Sequence, residues 1–202
     1  MPTLKERVTK WKETRTTFQK IGDVFFWFFL ILLIIPGPRK VISTTINRVA
    51  LSIKTPSMIP EDKQLSLGEE DYNWVLISHE GEKVDFSQFK GKPVFLNFWA
   101  TWCPPCVAEL PEIQKAWEKH GSSVDFLLVT NQDAGVVQAF MEKYGYTVPV
   151  HYAASPEPGV FQHSSIPTTY ILSPDGKIVV NKKGAVNWDS KGTDRVFDYI
   201  LR

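Results

Sequence analysis

FWATWCPPCVAELP, Phe98 to Pro111, carries both cysteines of a 202-residue chain, Cys103 and Cys106, with Pro104 and Pro105 between them. Two thiols at that spacing suit a redox couple, half of a metal site or a small structural staple. The flanking residues discriminate. PVFLNFWA, Pro93 to Ala100, is almost wholly apolar, which predicts a strand buried on both faces. After the cysteines, Val107, Leu110, Ile113 and Trp117 recur at helical spacing up to Gly121, predicting a helix over residues 104–119. Cys103 thus falls where a buried strand gives way to a helix.

That position has chemical consequences. A helix start carries unpaired N–H groups and the positive end of the macrodipole, both of which favour a thiolate over a thiol. Cys103 is therefore expected as the nucleophile. Cys106, one turn on, is within reach to attack the resulting mixed disulfide. Pro104 and Pro105 lack N–H groups, which costs little in a first helical turn, and they stiffen the loop. An inert staple is a weak reading, because so short a loop constrains the unfolded chain little. A metal site needs two more ligands, and His79, His120, His151 and His163 are scattered without H-x3-H spacing. A c-type haem site needs His where Val107 stands. Exchange between sulfurs calls for no cofactor and no metal.

Outward from this centre, strands and helices alternate. NWVLISHEGEKVDF predicts two strands turning at Glu80-Gly81. VDFLLVT reads as a second buried strand, AGVVQAFMEKYG as a helix ending at Gly145, and TVPVHYA as a short strand. TTYILS, the turn PDGK and IVV form a hairpin, and Asp189 to Leu201 closes the chain as a helix with Val196, Tyr199 and Ile200 on its inner side. The order predicts an α/β mixed sheet covered by helices, occupying residues 63–202.

NFWATWCPPC, the downstream IPTTYILSPDGKIV and the upstream VDFSQFKGKPVFL together resemble the TlpA/ResA-like branch of membrane-anchored thioredoxin-fold oxidoreductases, over about Trp74 to Arg202. The resemblance implies a thioredoxin-like mixed β-sheet flanked by helices, with Cys103 attacking and Cys106 resolving. It also implies that Pro167 is a cis-proline beside the site; by itself Ile166-Pro167 could equally be a trans turn. A cis bond would leave Ile166 to offer backbone pairing to an extended substrate segment. Trp99 and Trp102 are expected to screen the pair from water, Trp102 also joining Ile166 and Pro167 in binding substrate; core packing serves equally for Trp99. Thioredoxin has a buried Asp six residues before its first cysteine, where this chain has Asn97. In the ResA-like branch a Glu three residues after the second cysteine handles protons, and Glu109 occupies that place. Helical spacing alone allows either proximity to Cys106 or a solvated surface charge. His163 receives no role.

Charge and hydropathy are uneven along the chain. Residues 1–62 carry ten Lys/Arg against five Asp/Glu, and residues 63–202 carry thirteen against seventeen. A weakly acidic globular part without a basic stripe excludes a nucleic-acid footprint. VFFWFFLILLII, Val24 to Ile35, has no polar side chain, and eleven of its residues are Val, Leu, Ile or Phe. Roughly −3 to −7 kcal/mol of insertion free energy follows, enough to outweigh Asp23. Six Lys/Arg precede the run, so the amino terminus is expected inside and the rest of the chain outside the cytoplasmic membrane, in the periplasm where there is one. PGPRKVISTTIN behind the run offers no A-x-A cleavage site, which favours an uncleaved anchor over a removed signal peptide. The resulting organisation is a basic cytoplasmic segment (1–20), a single transmembrane signal anchor (21–38) ended by Pro36 and Pro38, a juxtamembrane linker (39–62) in which 41–51 could lie as an amphipathic surface helix, and the thioredoxin-like domain (63–202). Its partners would be protein disulfide or dithiol substrates, an upstream membrane thiol donor and the lipid bilayer. The family comparison suggests reduction of substrate disulfides, as in cytochrome c maturation. Two other classes remain open: a thiol peroxidase, although Ala100 stands where that branch has Thr, and a membrane-held binding module without redox turnover.

Overall fold

A computed structural model describes residues 17–34 and 55–202. The first of these stretches is helix α1, Thr17–Ile34. At 18 residues it is roughly 27 Å long, and its first two turns include Lys20 and Asp23. Among the described residues no helix is long and apolar enough to cross a membrane. Val24, Phe25, Phe26, Trp27, Phe28 and Ile31 are each more than half exposed. The basic residues 1–16, the end of the expected anchor at 35–38 and the linker through residue 54 lie outside the described residues.

In the second stretch the elements follow the alternation of the sequence: β1 (Val75–Ser78), β2 (Lys83–Asp85), β3 (Val94–Phe98), α2 (Pro104–His120), β4 (Asp125–Thr130), α3 (Ala134–Tyr144), β5 (Val150–Ala153), β6 (Thr168–Leu172), β7 (Ile178–Lys183) and α4 (Lys191–Ile200). Each helix has a chemical start. The Asp133 carboxylate accepts from the amides of Gly135 and Val136 at the head of α3, and the Ser190 hydroxyl accepts from Thr193 N at the head of α4. α3 ends at Gly145, whose φ of 69° is the left-handed conformation that a residue without Cβ adopts freely.

The strands form one sheet in the order β2-β1-β5-β4-β3-β6-β7. β3, β4 and β5 run parallel, and the other pairings are antiparallel. Central β3 is buried along its whole length, as its apolar run predicts. Side chains alternate across a strand, so Phe95 joins the core beneath α2 and α4, while Val94, Leu96 and Phe98 join the core on the opposite face with Trp74, Phe86 and Phe161. By the same alternation Asn97 points toward α2, the cysteine-bearing side.

Two local expectations change. Tyr199 is 41% exposed, and Phe197 is the buried aromatic of α4. The buried set Thr193, Val196, Phe197 and Ile200 is one helical stripe, and residue 199 falls off it. Residues 55–62, assigned by sequence to the linker, lie along the body: Ile59 N donates to Val179 O at 2.8 Å, and a Cβ on Gly192 would come within 2.9 Å of Thr55.

Candidate active site

Cys103 is the N-cap of α2 and is disulfide-bonded to Cys106, with Cα atoms 5.3 Å apart. Its backbone is extended (φ −88°, ψ 104°) while its carbonyl accepts from Val107 N, so strand geometry turns into helix at this residue. Pro104 and Pro105 fill the first helical positions, where a missing N–H breaks no bond. Cys106 N donates to Cys103 Sγ at 3.3 Å. One of the orphan amides of the helix start is therefore aimed at the first sulfur. Both cysteines belong to the core beneath α2, with Cys106 fully buried.

The loop ahead of the helix is clamped from the side. Thr101 N donates to Gln132 Oε1 at 2.6 Å, and Gln132 Nε2 donates back to Thr101 Oγ1 at 3.1 Å, joining the β3–α2 loop to the β4–α3 loop. From the opposite direction comes the segment before β6. The Ile166-Pro167 peptide bond is cis, and Cys103 Sγ lies 3.7 Å from Ile166 O. β6 pairs antiparallel with β3, bringing residues more than sixty positions away in sequence to the sulfur.

The two tryptophans differ in burial. Trp99 is buried against Phe140, ring centroids 5.9 Å apart, in the core. Trp102 is 69% exposed and lines a cavity of about 260 Å³ together with Phe98, Gln132, His163 and Ile166. Trp99 thus takes the core-packing place that the sequence also allowed, and Trp102 faces solvent at the mouth of the site. His163, given no role by sequence, stacks on Phe98 at 4.2 Å between centroids, its Nδ1 3.4 Å from Glu157 Oε2. A cavity of about 270 Å³ beside α3 and β5, lined by Val137, Met141, Val148 and Val150, touches neither the cysteines nor Glu109.

Glu109 is not a surface charge. It is 1% exposed, and three donors converge on it: Asn97 Nδ2 to Oε1 at 3.0 Å, and Val186 N and Trp188 Nε1 to Oε2, each at 3.1 Å. Burial disfavours the carboxylate and the three N–H groups favour it. Burial is the larger effect and the carboxyl is pushed up to about 8. Asn97 Nδ2 also lies 2.8 Å from Thr169 Oγ1, and Asn97 Oδ1 has no hydrogen-bond partner among the described residues. Trp188 and Val186 come from the segment after β7, 77 and more positions from Glu109. No spacing rule in the sequence signals that contact. Among the described residues no cluster of His, Cys, Asp and Glu could hold a metal.

The arrangement presents a sulfur at a helix start, a second sulfur behind it, an open backbone carbonyl alongside and a buried acid one turn below. Comparison with known proteins agrees. The Redoxin family model matches residues 57–199. Thiol-disulfide oxidoreductase ResA of Halalkalibacterium halodurans is 34% identical over 135 residues, covering 65% of this chain and 77% of that protein. ResA of Bacillus subtilis is 34% identical over 120 residues, covering 58% and 67% respectively. The crystal structure of StoA from Bacillus subtilis superposes with a TM-score of 0.51 at 27% identity, over 62% of this chain and 94% of that one. A match over most of the chain, relatives at this identity and a paired CPPC at the strand-to-helix junction place it together: the chain belongs to the redoxin family, in its TlpA/ResA-like branch of thioredoxin-fold thiol–disulfide oxidoreductases.

Proposed function

We propose that this oxidoreductase reduces disulfides of substrate proteins on the outer side of the cytoplasmic membrane, as in cytochrome c maturation. One observation carries the reading: the Cys106 amide aimed at Cys103 Sγ from the head of α2. In the reduced protein that amide stabilises a Cys103 thiolate, which attacks one sulfur of the substrate disulfide. A mixed disulfide forms, and the other substrate sulfur leaves as a thiolate. Cys106 then attacks Cys103 Sγ, closing the 103–106 disulfide and releasing the second substrate thiolate. Cys106 gives up its proton in that step, and Glu109, one helical turn away, receives it. Trp102, Ile166 and Pro167 hold the substrate segment, with the Ile166 carbonyl free to pair with an extended backbone. A membrane thiol donor returns two electrons by the same exchange in reverse, Glu109 giving its proton back to Cys106.

The tether is part of the same proposal. The large apolar side chains of α1 are exposed, and the sequence continues apolar through Ile35 behind six basic residues. A bilayer takes up that surface, with flanking residues snorkelling to offset the short apolar length.

Equilibration of the Cys103/Cys106 pair against glutathione and dithiothreitol series, read by alkylation, tests the direction. A potential near the thioredoxin value of about −270 mV supports a reductant. One near about −120 mV makes it an oxidant and overturns the direction. Peroxide consumption that depends on Cys103 alone would replace exchange by peroxidase chemistry.

A further inference from the structure

Glu109 Oε2 accepts two N–H groups, from Val186 and Trp188, whereas Oε1 accepts one, from Asn97. A carboxyl oxygen has two lone-pair directions. With both directions on Oε2 occupied, a proton bound by Glu109 has room only on Oε1. Resting on the exchange function proposed above, we propose that Trp188 is a positioning residue for the reaction: its indole N–H, with the Val186 amide, fixes Oε2 of Glu109 as an acceptor and confines the acid's proton to Oε1, on the Asn97 side.

The surroundings favour this division. Trp188 is 1% exposed and its ring meets Phe95 edge-on at 4.9 Å between centroids, so the indole cannot swing away from the carboxyl without opening the core. On the other oxygen, Asn97 is adjustable. Its Oδ1 is buried with no partner among the described residues. Turning the carboxamide over would let Oδ1 accept from a protonated Oε1, while the Thr169 hydroxyl, 2.8 Å away, can donate as well as accept. One side of the acid is rigid and donates only; the other can follow the proton.

Few charges compete at this place. β3 has no titratable residue, and Tyr170 of β6 belongs to the core on the opposite face. On α2 Glu112 follows Glu109 by one turn, and Cys106, one turn before it, is disulfide-bonded and does not titrate. Glu112 and Asp189 both pair with Lys115 at the surface, and Asp194 of α4 pairs with Lys119 and His120. Lys182 and Lys183 lie at the end of β7. The hydrogen bonds, not a nearby charge, oppose the upward push of burial on Glu109.

Trp188→Phe keeps an aromatic ring and removes the N–H. Its test is the Glu109 carboxyl ¹³C resonance followed against pH in the oxidised full chain. The expected result is a midpoint raised by about one to two pH units, from loss of one hydrogen bond to a charged acceptor. The pH profile of disulfide reduction should move with it, and in a Glu109→Gln background Trp188→Phe should leave that profile where it was. A lower urea midpoint with an unmoved carboxyl titration would overturn the proposal and leave Trp188 as packing alone. Should Trp188→Phe fail to fold, the wild type still decides. One of its seven indole N–H signals should shift at the Glu109 midpoint and stay constant in Glu109→Gln; no such signal would also overturn it. Absence of exchange activity in the wild type would instead overturn the proposed function, while the carboxyl titration still reads the Trp188 contact.

Discussion

Glu109 and His151 are both buried and titratable, on opposite faces of one sheet, and their surroundings differ completely. Glu109 sits beneath the cysteine helix inside three N–H donors. His151 lies on β5 beside Val150, which faces the cysteine side, so the imidazole points to the other core, and its Nδ1 has no partner among the described residues. Burial, with His79 as a lesser influence, pulls the imidazole down to about 4 and keeps it neutral. A buried group surrounded by donors is equipped to exist in two protonation states. One with an unpartnered buried nitrogen is equipped for a single state, and a change of state costs stability. The face that carries the sulfurs also carries the acid that can change.

The comparison breaks most severely at the sulfurs. Cys103→Ser and Cys106→Ser should each reduce insulin-disulfide turnover to background, with Cys106→Ser alone accumulating mixed disulfides on non-reducing gels. Turnover surviving in the double variant would separate the cysteine face from the activity altogether.

Next in size is the alkaline limb of stability. The folded-state Glu109 value of about 8 lies above the unfolded value of 4.5. Its contribution is complete below about pH 4.5 and is lost as pH rises through 8, on the order of 5 kcal/mol in all. Urea midpoints of Glu109→Gln should therefore stay level between pH 7 and pH 9, above the His151 titration, where those of the wild type decline. Parallel declines in both proteins would contradict a buried acid.

His151 should produce a smaller loss at the other end. Its folded value of about 4 lies below the unfolded 6.5, so stability is intact above pH 6.5 and falls by roughly 3 kcal/mol as pH drops through 4. In a Glu109→Gln background, where the opposing Glu109 titration is absent, His151→Leu should remove most of that slope, and in the wild-type background it should leave turnover at neutral pH unchanged. Loss of turnover would mean that the two faces are coupled.

The smallest effect serves as a control within the cysteine face. Ser190→Ala removes the cap that accepts from Thr193 N at 3.3 Å and should cost about 1 kcal/mol. The pH profile of turnover should not move, because none of the three donors to Glu109 lies on α4.

Much of this organisation was legible before any coordinates. PVFLNFWA reads as a strand buried on both faces, because a strand with one face in water would expose every second one of those side chains. The Pro-Pro pair and the apolar spacing from Val107 to Trp117 defined the helix that follows. Where the pattern misled, as at Tyr199, the reason was local: two aromatics near the end of α4 are one short step from either side of the stripe, and packing chose Phe197. His163 gave no signal, since a single histidine has no periodicity and its stacking partner Phe98 lies on another element. The family resemblance singles out Glu109, and its helical spacing from Cys106 leaves open whether it meets water.

By itself, the order of residues determined the chemistry available: which atoms can carry a thiolate, where a strand must yield to a helix, and which segments are too apolar to face water. These depend on neighbours a few positions apart, and a chain carries such information directly. Tertiary structure alone decided what the acid encounters. The indole of residue 188 and the carboxyl of residue 109 meet only in the folded chain, 79 positions apart, and a contact across that much chain leaves no period for a sequence to display.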